Sequence, residues 1–134
     1  MTTYVDASAL LKLYVDEPDS ETARELVGAD PVLVTSWLTL VEVRRSLARA
    51  LGGHQLAEAR RRSEADLDGV ALISLDESGW RAAADLAEEL GVRSLDAVHL
   101  ATAARLRIPH LTFCTFDLRQ GQGARSLGFT VVGC

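Results

Sequence analysis

The chain has 134 residues, of which 48% are hydrophobic, and a formal charge of −5 at pH 7. That length suits one ordinary domain with one continuous core, and no apolar run approaches the length of a membrane span. An acidic balance argues against a dedicated DNA-binding domain, which would usually be basic.

One domain is therefore expected over residues 1–134. Cys114 lies in an apolar strand-like run and reads as a buried free thiol. Cys134, the last residue, is expected to fray. Two such cysteines make neither a disulfide framework nor a zinc motif, and a reducing cytoplasm is the expected compartment. Met1 leads directly into a strand-like segment without a basic region or cleavage site, so no signal peptide is expected.

In chain order, residues 3–6 read as a short strand ending in Asp6, and residues 7–15 as a helix with Leu10, Leu11 and Tyr14 facing inward. Asp16-Glu17-Pro18-Asp19 breaks that helix. A second helix runs over residues 20–27 and stops at Gly28. Residues 31–35 form a strand. Ser36 then caps a long helix to about residue 51, with Leu40, Val43 and Leu47 as its apolar stripe, and Gly52-Gly53 ends it.

Residues 54–68 are a further helix rich in Arg and Glu. A strand follows at 70–74, a cap at Asp76, and a helix from 77 to 90 that Gly91 closes. The next helix spans 93–107, with Ser94 as a good N-cap residue, Asp96 in its first turn, and Leu95, Val98, Thr102 and Leu106 as its expected buried stripe. Strands are expected at 111–115 and 129–132. Strands alternating with helices predict an α/β fold: a three-layer α/β/α sandwich with a central parallel five-stranded sheet.

Such sheets bind ligands outside the carboxyl ends of their strands, near the switch point in strand order. Asp6 and Asp117 stand at two such ends. Glu42 lies about two turns into the helix after the second strand, and Asp96 opens the helix before the fourth. These four acids are expected to meet in one crevice. Two carboxylates about 4 Å apart repel by about 4 kcal/mol at an effective dielectric near 20, so a gathered set needs shared protons or a divalent cation. An all-oxygen set favours Mg²⁺ or Mn²⁺ over zinc. One or two such ions can activate water for in-line displacement at phosphorus.

The segments Tyr4-Val5-Asp6-Ala7-Ser8-Ala9-Leu10, Glu42-Val43-Arg44-Arg45, Leu95-Asp96-Ala97-Val98-His99-Leu100-Ala101-Thr102-Ala103 and Thr115-Phe116-Asp117 resemble those of PIN-domain ribonucleases. The resemblance is nearest to the VapC toxins of bacterial toxin–antitoxin pairs and covers residues 3–132. It implies an Mg²⁺- or Mn²⁺-dependent endoribonuclease acting on RNA, with Asp6 and Asp96 as principal ligands and Glu42 and Asp117 completing the catalytic site. It also implies a homodimer and a cognate VapB-type antitoxin. That partner would lay apolar residues between the early helices and send a basic side chain toward the acids. The chain departs from the family in one place. After Asp117, where the family carries a good helix, Gly121 and Gly123 each cost about 1 kcal/mol in a helix interior.

Around these acids stand residues with two readings. Ser8 can hydrogen-bond Asp6 as well as cap the first helix, and Thr115 can orient Asp117 or serve only as a strand residue. His99 reads as a packed, hydrogen-bonding histidine, since as a ligand it would favour softer metals. Arg44, Arg45 and Arg49 follow Glu42 and are candidate RNA contacts. Their plain alternative is a solvated face with ion pairs of little worth. Trp37 and Trp80 read as core or dimer contacts. A dehalogenase-like phosphatase or a receiver domain would need a late lysine, and Lys12 is the only lysine. The other rival is a catalytically inactive PIN-like scaffold that binds a protein or RNA partner.

Overall fold

The computed structural model describes residues 1–134. Five strands, β1 (Thr2–Val5), β2 (Val32–Ser36), β3 (Ala71–Ile73), β4 (Thr112–Cys114) and β5 (Thr130–Val132), form one sheet in the order β3-β2-β1-β4-β5. Every pairing is parallel. The chain steps outward from β1 to β3, returns to the far side of β1 with β4, and ends at β5. The order reverses at β1 and β4, and there the sheet opens its crevice.

Successive strand residues point to opposite faces. Val5 and Cys114 feed a core made with α1 (Ala7–Leu11), α2 (Ser20–Val27), α3 (Trp37–Ala50) and α4 (Gly53–Leu67). Tyr4 and Phe113, whose rings stack at 5.0 Å, feed the opposite core. That layer contains α5 (Glu77–Leu90), α6 (Ser94–Leu106) and α7 (Leu118–Ser126). The result is the three-layer sandwich expected from the strand–helix alternation. No helix is long and apolar enough to cross a membrane.

Several local expectations are corrected. The first helix ends at Leu11 because Leu13 and Tyr14 donate to carbonyls three residues back, which tightens the chain into turns. Ser94 is the first helical residue of α6, and the preceding Arg93 occupies the cap position without a side-chain cap. The expected buried stripe of α6 fails at Leu95, which is 50% exposed, while every residue from Asp96 to Ala103 is buried. A helix enclosed on all sides loses the one-face pattern. Alanines at 97, 101 and 103 let its neighbours close in. Trp37 and Trp80 are about half exposed, so neither is a core residue. Cys134 is held: its Sγ donates to the Asp117 carbonyl at 3.6 Å, and Arg125 donates to its own carbonyl.

The two glycines after Asp117 do not prevent α7. Both are buried, and each marks a close approach. A Cβ at Gly123 would lie 2.8 Å from Cδ1 of the fully buried Leu100, and one at Gly121 would lie 2.6 Å from Cys134 Sγ. The missing side chains allow α7 to sit against α6 and β5.

Gly123→Ala should therefore destabilise the protein, although alanine is the better helix former. Overpacking of this kind costs about 1–3 kcal/mol, against a propensity gain of about 1 kcal/mol. Urea unfolding of both proteins decides the sign, and a stabilised variant would contradict the close packing of α7 on Leu100.

Candidate active site

Asp6 follows β1 in extended conformation and caps α1, its Oδ1 accepting from the Ala9 amide at 3.1 Å. Ser8 Oγ donates to the same oxygen at 2.6 Å, and Thr115 Oγ1 donates to Oδ2 at 2.5 Å. Ser8 thus holds Asp6, while the capping role belongs to Asp6 itself. The Ser8 hydroxyl also accepts from the Phe116 amide at 2.9 Å, tying α1 to the chain after β4. Asp6 is 4% exposed and enters no ion pair. Burial pushes its carboxyl above the usual carboxylate range, against the lowering effect of the Ser8 and Thr115 hydroxyls, the nearby His99 and the Ala9 amide.

Asp117 caps α7, with Oδ1 accepting from the amides of Arg119 and Gln120. Its own amide donates to Thr115 Oγ1 at 3.1 Å, so Thr115 links the backbone of Asp117 to the carboxylate of Asp6. Partial burial works to raise the Asp117 carboxyl, but the Gln120 amide, Arg93 and the Arg119 amide together hold it below the ordinary range. Asp96, 8% exposed, lies in the first turn of α6.

Arg93 joins these two acids. Its Nε donates to Asp96 Oδ2 at 2.9 Å and its Nη2 to Asp117 Oδ2 at 2.8 Å. Glu42, on α3, is held from α6: His99 Nε2 lies 2.6 Å from Glu42 Oε1, and His99 Nδ1 lies 2.7 Å from the Tyr4 hydroxyl. A neutral imidazole satisfies both contacts if Tyr4 donates to Nδ1 and Nε2 donates to Glu42. His99 is thus the buried hydrogen-bonding residue expected of it.

The chain of contacts runs from Asp6 through Thr115 to Asp117, then through Arg93 to Asp96. A separate link joins Glu42 to α6. In this arrangement no three acidic, histidine or cysteine side chains are grouped as a ligand set. Each acid instead faces its own donors: hydroxyls for Asp6, a guanidinium for Asp96 and Asp117, an imidazole for Glu42. The donor chemistry still suits a hard cation, because all four are carboxylates and the buried charge of Asp6 has no cationic side chain in contact with it.

Sequence reasoning did not mark Arg93 or Tyr4 as part of this site. Arg93 stands three residues before Asp96, a spacing that brings side chains together at a helix start. Tyr4 alternates with Val5 and so points into the layer that contains His99. Among the candidate RNA contacts, Arg44 pairs with Glu64 at 3.4 Å. Arg45 and Arg49 are exposed and lie three and seven positions beyond Glu42, along its face of α3. Cys114, buried beside Asp6, is pushed up to about 12 by burial and is unreactive as a thiolate.

The raised carboxyl of Asp6 has a stability consequence of definite sign. Its folded pKa lies above its unfolded value, so the ionised group destabilises the metal-free fold above the folded pKa. That penalty fades as pH falls toward the unfolded value. In EDTA, Asp6→Asn should melt at or above the wild-type temperature near pH 7.5, and the difference should shrink on acidification. Paired melts across pH measure it, and a variant less stable at neutral pH with no pH trend would contradict it.

The family model of the PIN domain matches residues 3–124. Ribonuclease VapC46 of Mycobacterium tuberculosis is 38% identical over 132 residues, covering 96% of this chain and 95% of its own length. Among solved structures, VapC20 of Mycobacterium tuberculosis, described as a sarcin–ricin loop cleaving toxin, has a TM-score of 0.74 at 21% identity and covers 98% of both chains. A chain in a toxin–antitoxin complex from Klebsiella pneumoniae has a TM-score of 0.72 at 21% identity, over 97% of this chain and 95% of that one. With the acids placed at the switch point of the sheet, this chain belongs to the PIN-domain family, among the VapC ribonucleases.

Proposed function

We propose that the chain is an endoribonuclease that hydrolyses RNA phosphodiester bonds, that it is the toxin of a toxin–antitoxin pair, and that its activity depends on Mg²⁺ or Mn²⁺. The observation that carries this reading is the buried Asp6 carboxylate at the switch point, unpaired by any cation and linked through Thr115 to the backbone of Asp117. Asp6 and Asp96 are the principal ligands in this proposal, with Glu42 and Asp117 completing the set for one or two ions. When bound, such an ion would supply charge stabilisation at phosphorus and a more acidic water. Ser8 and Thr115 keep the Asp6 carboxylate oriented and ionisable. His99 holds Glu42 at one oxygen and leaves the other open. Arg93 fixes Asp96 and Asp117 relative to each other and supplies positive charge at the rim.

The partner reading is of the same kind. A cavity of about 450 Å³ lies among α1, α2 and α4, with Leu10, Leu13, Val27 and Val70 in its lining. It supports a VapB-type antitoxin segment placing apolar side chains between the early helices, and the acids offer a complementary charge for a basic side chain. A homodimer is supported by Trp37 and Val41, one turn apart on α3 and both exposed, a pairing more common at interfaces than on free surface.

Total RNA incubated with Mg²⁺ should acquire new ends that mapping locates, and EDTA should prevent them. Asp6→Asn and Asp96→Asn should each lower cleavage by on the order of a hundred-fold or more, the scale of losing one electrostatic stabiliser, while remaining folded. His99→Gln should keep substantial activity. A fully active Asp96→Asn protein with an unchanged melting response to Mn²⁺ would reduce Asp96 to a helix-terminal acid and remove the metal reading.

Expression of the wild-type chain alone should arrest growth, and co-expression of its antitoxin should relieve the arrest. Unaffected growth and intact RNA would defeat the toxin assignment.

A further inference from the structure

Between the α5–α6 connection and α7 lies a cavity of about 370 Å³, lined by Arg93, Arg119, Gln122 and Ser126 over the apolar Leu90 and Val92. No carboxylate lines it. Four other surface cavities, of about 240 to 500 Å³, are each lined by at least one Asp or Glu. In a chain of formal charge −5, a recess with two guanidiniums and no acid selects an anion.

Arg93 contributes to this recess and to the acidic centre together. A guanidinium has five N–H donors, and Arg93 uses only Nε and one hydrogen of Nη2 on Asp96 and Asp117. Its remaining donors are available to a second anion. Arg119 is exposed and in no ion pair, although its amide donates to Asp117 Oδ1. The recess therefore adjoins the acids through two residues that each contact Asp117.

We propose that this cavity seats the nucleotide of a single-stranded RNA next to the cleaved bond. The proposal deepens the ribonuclease reading above and rests on it. Arg93 and Arg119 take the phosphate, for which planar guanidinium donors are suited. The Gln122 side chain, which makes no hydrogen bond within the protein, offers a donor and an acceptor to a base edge. Leu90 and Val92 give the base an apolar floor. RNA single strands are read in this way, by edge hydrogen bonds and by packing of the base faces. The phosphate contacts set position and the base contact sets preference.

The test uses the Asp6→Asn chain in EDTA, so that binding is read without cleavage. A fluorescent single-stranded RNA is titrated at several KCl concentrations. Adding Arg119→Gln should weaken binding several-fold and lower the slope of log affinity against log salt by about 0.7, the value for one phosphate on a single strand. Arg119→Lys should restore the slope, which a merely misfolded surface would not do. In the otherwise wild-type chain, Gln122→Ala should change the base found beside the mapped cuts. If Arg119→Gln binds with wild-type affinity and slope while Gln122→Ala leaves the mapped ends unaltered, the assignment of the cavity is overturned although wild type cuts RNA. A wild-type chain that neither binds nor cuts RNA removes the ribonuclease reading and this one together.

Discussion

The constraint on which the rest depends is a carboxylate charge held inside the protein. Asp6 is almost fully buried, and a lone ionised carboxylate in such a place is costly unless donors surround it. The fold meets that need with three donors from two segments: the Ala9 amide and Ser8 hydroxyl on one side, and the Thr115 hydroxyl on the other. Those donors converge only because β1 and β4 are neighbours, with Val5 opposite Cys114 in parallel register. The strand order thus does more than build a core. It places the residue after β1 beside the residues after β4, and the crevice opens where they meet.

The acids are not gathered as one ligand set, and the charge of each is met separately. Repulsion of about 4 kcal/mol per close pair would be expected to scatter the carboxylates or raise their proton affinity. Asp6 is pushed up, and burial is the cause. Asp117 moves the other way, because two amides at the start of α7 and the Arg93 guanidinium face it. Two acids at one crevice are therefore held in opposite protonation tendencies by their surroundings. Arg93 is more than half exposed, so its ion pairs contribute at most about 1 kcal/mol each to stability. Its larger effect is geometric, since it sets the spacing between residues on two different helices.

Much of this arrangement was legible in the sequence because each part has a local cause. Ser36 and Asp76 mark helix starts through side-chain oxygens that accept from amides two or three residues on. Asp6 and Asp117 were read from strand ends, Asp96 from a helix start, and Glu42 from inside the helix after the second strand. Features set by tertiary contact were not legible. The burial of α6 on all sides follows from α5 lying over it, which no one-face period records. The glycines of α7 read as breakers because their use, close approach to Leu100 and Cys134, is written in another part of the chain. Arg93 was overlooked for a similar reason: its pairing with Asp96 is local, but its pairing with Asp117 spans 24 residues.

An acidic chain that acts on RNA must separate two electrostatic tasks. The acids have to be close enough to form a centre for a hard cation, which makes that point repellent to phosphate until charge is supplied. The cationic side chains must then lie beside the acids without being neutralised by them. Several arginines here do not meet that condition. Arg44, Arg61, Arg81 and Arg105 are committed to glutamates or aspartates elsewhere on the surface. Arg93 and Arg119 both contact Asp117: Arg93 reaches the acids with only part of its donor set, and the Arg119 side chain is in no ion pair. The net charge of the chain therefore says little about its substrate. The local excess of unspent guanidinium donors beside Asp117 is the quantity that RNA would encounter on reaching the crevice.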